Sequence, residues 1–375
     1  MRYYVPTRLW GFSGHFQTIL QSLIGRVKCP WPLGERVYIS LMDGSTLTYD
    51  LYQPSVNRSQ DEDITVAVCP GVGNSSESVY IRTFVLYAQI HGYRIAVLNH
   101  IGVIDTIQVT SPRIFSYGHT DDFQSMVHSI ITKYSSTKII AVGFSLGGNL
   151  ITKVIVYLLF PFNLPKPASF QFLGEKNVPK PINIIGGISI CQGYDATIAT
   201  QCLLKWQNFQ RFYLYILTEN VKSIILKHRK ILLSDDVKRK HNINEKDISK
   251  AATLAQLDEA YTRKLYNFPS TSALYKWSSS INYLSNIDKP IIFLNSLDDP
   301  LVPEILLPPI RKFAESHPKA MYIESQNGGH LGFYEGGICS PNPLTWLDRL
   351  LVSLLGGIAF AHSEIALKKP AKIAI

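Results

Sequence analysis

The chain has 375 residues, 46% of them apolar and 17% charged, with a formal net charge of +9. Those fractions exclude a disordered chain, and the length allows one large domain with an insertion, or two domains. The excess of positive charge gathers in Lys222, Lys227, Arg229, Lys230, Lys238, Arg239 and Lys240 and not in a nucleic-acid-binding motif, so no nucleic-acid partner is expected. It reads either as a solvated basic surface or as attraction to an anionic membrane face. The five cysteines, Cys29, Cys69, Cys191, Cys202 and Cys339, form no Cys-x-x-Cys pair, which argues against a zinc site or a disulfide framework; no metal and no cofactor is expected.

In chain order, the first eighteen residues have no apolar core and read as neither a signal peptide nor an anchor, and no run reaches transmembrane length. Arg36–Met42 and Thr46–Gln53 are β-rich runs around Asp43-Gly44-Ser45, a hairpin signal. Ile64–Cys69 is a continuous apolar run, the pattern of a strand buried on both faces. A helical stretch follows from Glu77 to about His91, then a strand at Arg94–Asn99 and a helix at Asp121–Lys133. From Lys138 a β-branched apolar run, the next buried strand, leads into Gly143-Phe144-Ser145-Leu146-Gly147, with a helical pattern behind it. Residues 159–181 are rich in proline and read as a surface loop insertion. Ile184–Cys191 is a strand. From Thr197 to about Tyr283 helical patterns dominate: Cys202–Asn220, Ser223–Leu233, Ile248–Ala260 and Ser272–Leu284. Pro290–Asn295 is a strand, Glu304–Ser316 a helix, Ala320–Glu324 a short strand and Leu344 to about Phe360 a closing helix.

Gly-x-Ser-x-Gly between a buried strand and a helix is the context of a nucleophile elbow. The serine must stand on a sharp turn so that its hydroxyl projects, and glycines flank it because side chains there would strike the neighbouring strand and helix. Ser145 is therefore the expected nucleophile, and the backbone N–H of Leu146, at the helix start, an expected oxyanion donor. The second donor should come from the loop after the Ile64–Cys69 strand, at Val72 in the first place and Gly73 next. A serine hydroxyl needs a base and the base an orienting acid, in the chain order Ser, Asp/Glu, His. His330 follows two glycines in the loop after the last strand and is the expected base. The acid is Asp298 or Asp299, and the pattern Asp-x-x-Val-Pro favours Asp299 at the head of a turn. His100-x-x-x-x-Asp105 has the spacing of an acyltransferase signature but arises easily by chance. Among the aromatics at helical spacing, Trp206 and Phe212 are candidate substrate contacts.

The fold class expected is α/β: an α/β-hydrolase fold with a mostly parallel central sheet flanked by helices and a helical cap insertion. Residues 1–195 would form the first part of the core, 196–285 the cap, 286–361 the rest of the core and 362–375 a basic tail. The elbow GFSLGGN, the loop CPGVGNSSE and the stretches YIRTFVLYAQ, GYRIAVLNH, TSPRIFSYG, CQGYDA, DDPLVPE, GGHLGFYEG and PLTWLD resemble the α/β-hydrolase domain-containing proteins of the 1/2/3 group, the type 4 family of the AB-hydrolase superfamily. The resemblance implies Ser145, Asp299 and His330 as triad and a lipid ester, monoacylglycerol in the first place, as substrate. It further implies membrane association through an N-terminal single-pass anchor and a link to steroid hormone. The chain carries no such anchor, which leaves a truncated form or a peripheral or cytoplasmic one as the expectation. An acyltransferase or thioesterase on the same triad is the rival enzyme reading, and a non-catalytic hormone- or lipid-binding protein the rival from another class.

Overall fold

A computed structural model describes residues 3–23, 30–58, 63–157, 183–206 and 209–367. The expected loop insertion at 159–181 and most of the basic tail lie outside the described residues. Eight strands form one sheet: β1 (Glu35–Ser40), β2 (Thr46–Tyr52), β3 (Ile64–Cys69), β4 (Arg94–Asn99), β5 (Lys138–Phe144), β6 (Ile184–Ile190), β7 (Ile291–Ser296) and β8 (Ala320–Ser325). Their spatial order is β1-β2-β4-β3-β5-β6-β7-β8. Only β2 runs antiparallel, to β1 and to β4; the other pairings are parallel.

The β-branched runs explain the central strands. β3, β6 and β7 are buried along their whole length, as strands covered on both faces must be. Alternation sorts their side chains into two cores. Ile139 and Ala141 join Met126 and Ile151 on one face, and Ile140, Val142 and Phe144 join Phe84, Leu351 and Leu355 on the other. The flanking helices supply those partners: α1 (Gly14–Leu23), α2 (Val79–Gln89), α3 (Asp121–Lys133) and α4 (Leu146–Tyr157) come first in the chain.

Between β6 and β7 the described residues build only helices: α5 (Ala196–Leu203), α6 (Gln210–Lys227), α7 (Arg229–Leu232), α8 (Asp235–His241), α9 (Glu245–Lys250), α10 (Leu254–Leu257), α11 (Arg263–Leu265) and α12 (Thr271–Ser278), with a π turn at Asp258–Thr262 and a 3-10 turn at Ser280–Asn286. α13 (Pro308–Ser316) and α14 (Trp346–Leu367) complete the molecule. Several helix limits differ from the sequence pattern. The expected Cys202–Asn220 helix is broken before α6, where Phe209 takes a left-handed backbone, φ 52°. α6 instead runs through the expected break at Asn220–Ser223, because burial of Ile225 outweighs the weak propensities of Asn and Ser. Pro308 stands at the first turn of α13 and divides it from the 3-10 turn at Glu304–Leu306.

The parallel registers align the C-terminal ends of the central strands. Cys69 of β3 lies opposite Gly143 of β5, Phe144 opposite Ile190 of β6, and Ser296 of β7 opposite Ser325 of β8. The loops that leave these ends meet along one edge, the place where open α/β sheets gather their chemistry. No helix of the described residues is long and apolar enough to cross a membrane.

Candidate active site

Ser145 follows β5 with a left-handed backbone, φ 53°, and its N–H donates to the Ile190 carbonyl at 2.8 Å. The turn leaves no room for side chains on either side. A Cβ on Gly143 would lie 2.2 Å from the Gly147 carbonyl oxygen, and one on Gly147 would lie 1.9 Å from that of Cys69. Glycine spacing here is thus a packing requirement, and the half-buried serine hydroxyl is what the packing leaves in the open.

His330 comes from the loop after β8. Its Nδ1 lies 2.8 Å from Asp299 Oδ2 and its Nε2 lies 2.9 Å from Ser145 Oγ. Since a carboxylate only accepts, Nδ1–H donates to Asp299 and Nε2 is left to accept the serine proton. Asp299 Oδ1 accepts from the N–H groups of Leu301 at 2.8 Å and Val302 at 3.1 Å, which fixes the carboxylate at the head of its turn. Asp298, its neighbour, points elsewhere: Oδ1 accepts from Gly329 N–H at 2.8 Å, joining the acid loop to the histidine loop. Partial burial pushes the Asp298 carboxyl above its ordinary range.

The loop after β3 faces the serine. A Cβ on Gly71 would touch Ser145 Cβ at 3.4 Å. Asn74 Nδ2 donates to the Val72 carbonyl, and the Gly71 N–H donates to the Tyr80 hydroxyl. Among the hydrogen bonds of the described residues Val72 N–H has no acceptor, and Leu146 N–H, first in α4, has none within its helix. His100 sits beneath this loop with Nε2 at 3.0 Å from the Pro70 carbonyl, and burial lowers its pKa. Asp105 is exposed and pairs with Lys227. The His100–Asp105 spacing therefore assembles no acid–base pair, since the two side chains serve different neighbours.

Trp206 and Phe212 are exposed, at 76% and 53%; the Arg211 guanidinium lies over the Trp206 ring at 4.8 Å. It is Tyr213, beside Phe212, that turns inward. Its hydroxyl meets His15 Nδ1 at 2.9 Å, and its pKa is pushed up to about 12 by burial first and by the Asp299 carboxylate second.

Several positioning groups carry no sequence signal. Thr18 Oγ1 accepts the His330 N–H at 2.8 Å, from a helix, α1, that the sequence pattern does not reveal. Asn149, one turn into α4, donates to the Tyr117 and Ser278 carbonyls at 2.8 and 2.9 Å and accepts from Ser280 N–H. Cys191 Sγ lies within 4.8 Å of ligand atoms of Asp299 and His330. It does not make a metal nest: Asp299 and His330 already bond to each other, and burial first, then the Asp299 charge, hold the thiol protonated. A groove of about 920 Å³ elsewhere is lined by residues such as Lys227, Arg229, Lys238 and Glu245, none of the triad among them.

No family model matches the chain. It is 62% identical over 359 residues to Abhydrolase domain-containing protein 2 of Drosophila melanogaster, covering 96% of this chain and 85% of that protein. To Monoacylglycerol lipase ABHD2 of Mus musculus it is 40% identical over 358 residues, covering 95% and 80%. The crystal structure of 2,6-dihydroxy-pseudo-oxynicotine hydrolase superposes with a TM-score of 0.51 at 13% identity, covering 93% of this chain and 74% of that one, a likeness of fold. Sheet order, elbow and identity over nearly the whole length lead to one statement: the chain belongs to the α/β-hydrolase domain-containing protein 2 family.

Proposed function

We propose that the protein is a serine hydrolase that cleaves carboxylic esters of lipids, with monoacylglycerol as the preferred substrate class. The unbroken line of contacts from Asp299 through His330 to Ser145 carries the reading. His330 Nε2 takes the proton of Ser145 Oγ as the oxygen attacks the ester carbonyl. Asp299 keeps the imidazole in the tautomer that can accept and offsets the positive charge it gains. The N–H groups of Leu146 and Val72 hold the oxyanion. The imidazolium then gives its proton to the glycerol oxygen as the C–O bond breaks, and water repeats the sequence on the acyl-enzyme. Cys191 is not the nucleophile in this scheme: it is fully buried and burial keeps its thiol protonated.

The substrate class rests on the name of the mouse relative and on the apolar residues that border the helical insertion, which acts as a cap in this reading. Trp206 and Phe212 guide the acyl chain toward the site. An enzyme of this kind works at a membrane surface, where its substrate resides. A steroid regulator, implied by the resemblance, would register as a change of rate on titration with progesterone. The experiment is hydrolysis of a series of monoacylglycerols with glycerol and fatty acid measured as products. Release of both from wild type and from no sample of Ser145→Ala is expected. Transfer of the acyl group to an added alcohol in preference to water would favour the acyltransferase reading instead.

A further inference from the structure

β6 ends where the three parts of the triad meet. The Ile190 carbonyl accepts from the nucleophile's own N–H, and the N–H of Cys191, the next residue, donates to the Leu294 carbonyl of β7 at 2.7 Å. Cys191 takes a left-handed backbone, φ 49°, which a residue with a Cβ adopts only where its surroundings impose it. Its side chain is fully buried, and its sulfur lies within 4.8 Å of a ligand atom of Asp299 and of one of His330. The backbone N–H groups of Leu331 and Ser296 are directed at that sulfur. Leu331 follows the base in the chain and is left-handed as well, φ 66°. Ser296 ends β7, just before the acid, and its hydroxyl donates to the carbonyl of Gly329, the residue before the base, at 2.7 Å. One side chain thus lies against both the loop of the acid and the loop of the base, on a residue whose neighbour holds the nucleophile.

The residue type suits that place. Both oxygens of Asp299 are engaged, Oδ2 with His330 Nδ1 and Oδ1 with the N–H groups of Leu301 and Val302. A thiol is a weak acceptor and a weak donor. It can lie against the N–H groups of two loops without drawing strongly on the carboxylate beside it. A hydroxyl in its place would be the stronger donor, and a hydrogen bond from it to Asp299 would weaken the hold of the carboxylate on the imidazolium. The acyl-transfer scheme gives the thiol no proton to move and no bond to form, so its contribution is to the placing of the two loops.

We propose that Cys191 is a positioning residue of the triad: its sulfur keeps the acid loop and the histidine loop in register while leaving the Asp299 carboxylate to His330. The proposal deepens the serine-hydrolase reading above and rests on it. The test is hydrolysis of p-nitrophenyl acetate by the full chain, wild type beside Cys191→Ser and Cys191→Ala, with kcat, KM and the pH profile of kcat/KM measured for each. Cys191→Ser is expected to lose about tenfold in kcat at unchanged KM. The acid limb of its profile should move down by about 0.5 pH unit, because an imidazolium held less strongly gives up its proton more readily. Cys191→Ala, which offers Asp299 no donor, should lose kcat with the limb in place. Thermal unfolding of the same samples certifies the fold, and a thiol that served the fold alone would lower the melting temperature and move neither kcat nor the limb. A wild-type limb in Cys191→Ser, wild-type kcat in both variants, or loss of cooperative unfolding in Cys191→Ser overturns the proposal. Folded wild type that hydrolyses no ester and takes no fluorophosphonate label would sink the hydrolase reading itself, a result distinct from each of these.

Discussion

Asp298 and Asp299 are neighbours in sequence and serve different loops. Asp299 faces the imidazole, and Asp298 holds the backbone that carries it. Asp299→Asn keeps the shape but offers an amide that can stabilise the wrong tautomer, and kcat is expected to fall by roughly 10³–10⁴-fold. Asp298→Asn keeps an acceptor for Gly329 N–H and is expected to cost less than about tenfold, the scale of one weakened hydrogen bond. Ester hydrolysis of the two variants side by side measures the difference; an equal loss would assign the acid role to neither residue alone. At this scale the sequence was informative where a residue follows a strand or a glycine turn. The elbow and the two loops are visible because strand, glycine and polar residue must come in that order. Thr18 was invisible, because its whole contribution is one hydroxyl placed by tertiary contact.

Elements were legible in proportion to their burial. β3, β6 and β7 declare themselves as apolar runs because both of their faces are covered. α1 escaped detection for the opposite reason. Its buried residues Gln17 and Thr18 are polar, Phe16 is exposed and Ile19 and Leu20 are half-buried, so no apolar stripe marks its inner side. The break between α5 and α6 escaped as well, since nothing in the residue type at Phe209 demands a left-handed backbone. α1 acts on the site through Thr18. Thr18→Val removes the acceptor of a buried N–H, and a loss of about 1–3 kcal/mol in unfolding free energy is expected. A several-fold drop in kcat with unchanged KM should accompany it, because the histidine loop loses its tether while substrate contacts remain. Denaturant unfolding and ester kinetics on the same sample check both; stability lost without a change in kcat would reduce α1 to a structural strut.

At the scale of the molecule, α4 links the elbow to the helical insertion. Lys153, two turns beyond Ser145, is fully buried and donates to the Gly118 and Trp277 carbonyls, each at 2.9 Å, with its amine 4.0 Å from the Trp277 ring centroid. Burial lowers its pKa from the ordinary 10.5 to about 7. Between those values the unfolded chain binds a proton that the folded protein does not. Stability therefore rises as pH climbs from about 7 toward 10.5, and falls by the same amount as pH drops from 10.5 to about 7, below which both states hold the proton and this group changes nothing further. Lys153→Met is expected to flatten that part of the pH–stability curve relative to wild type, read from thermal unfolding across the window. An unchanged slope would mean that the buried amine is not the group that titrates. None of this linkage shows in the sequence, where Lys153 is one more lysine on a helix.

The central claim is that Ser145, activated by His330, is the nucleophile of an ester hydrolase. Labelling with a fluorophosphonate probe, followed by mass spectrometry of the modified peptide, tests it most directly. The account predicts one adduct on Ser145 in wild type and no adduct in Ser145→Ala or His330→Ala. Folded wild-type protein that takes no label, or an adduct on Cys191 or any other residue, would contradict it.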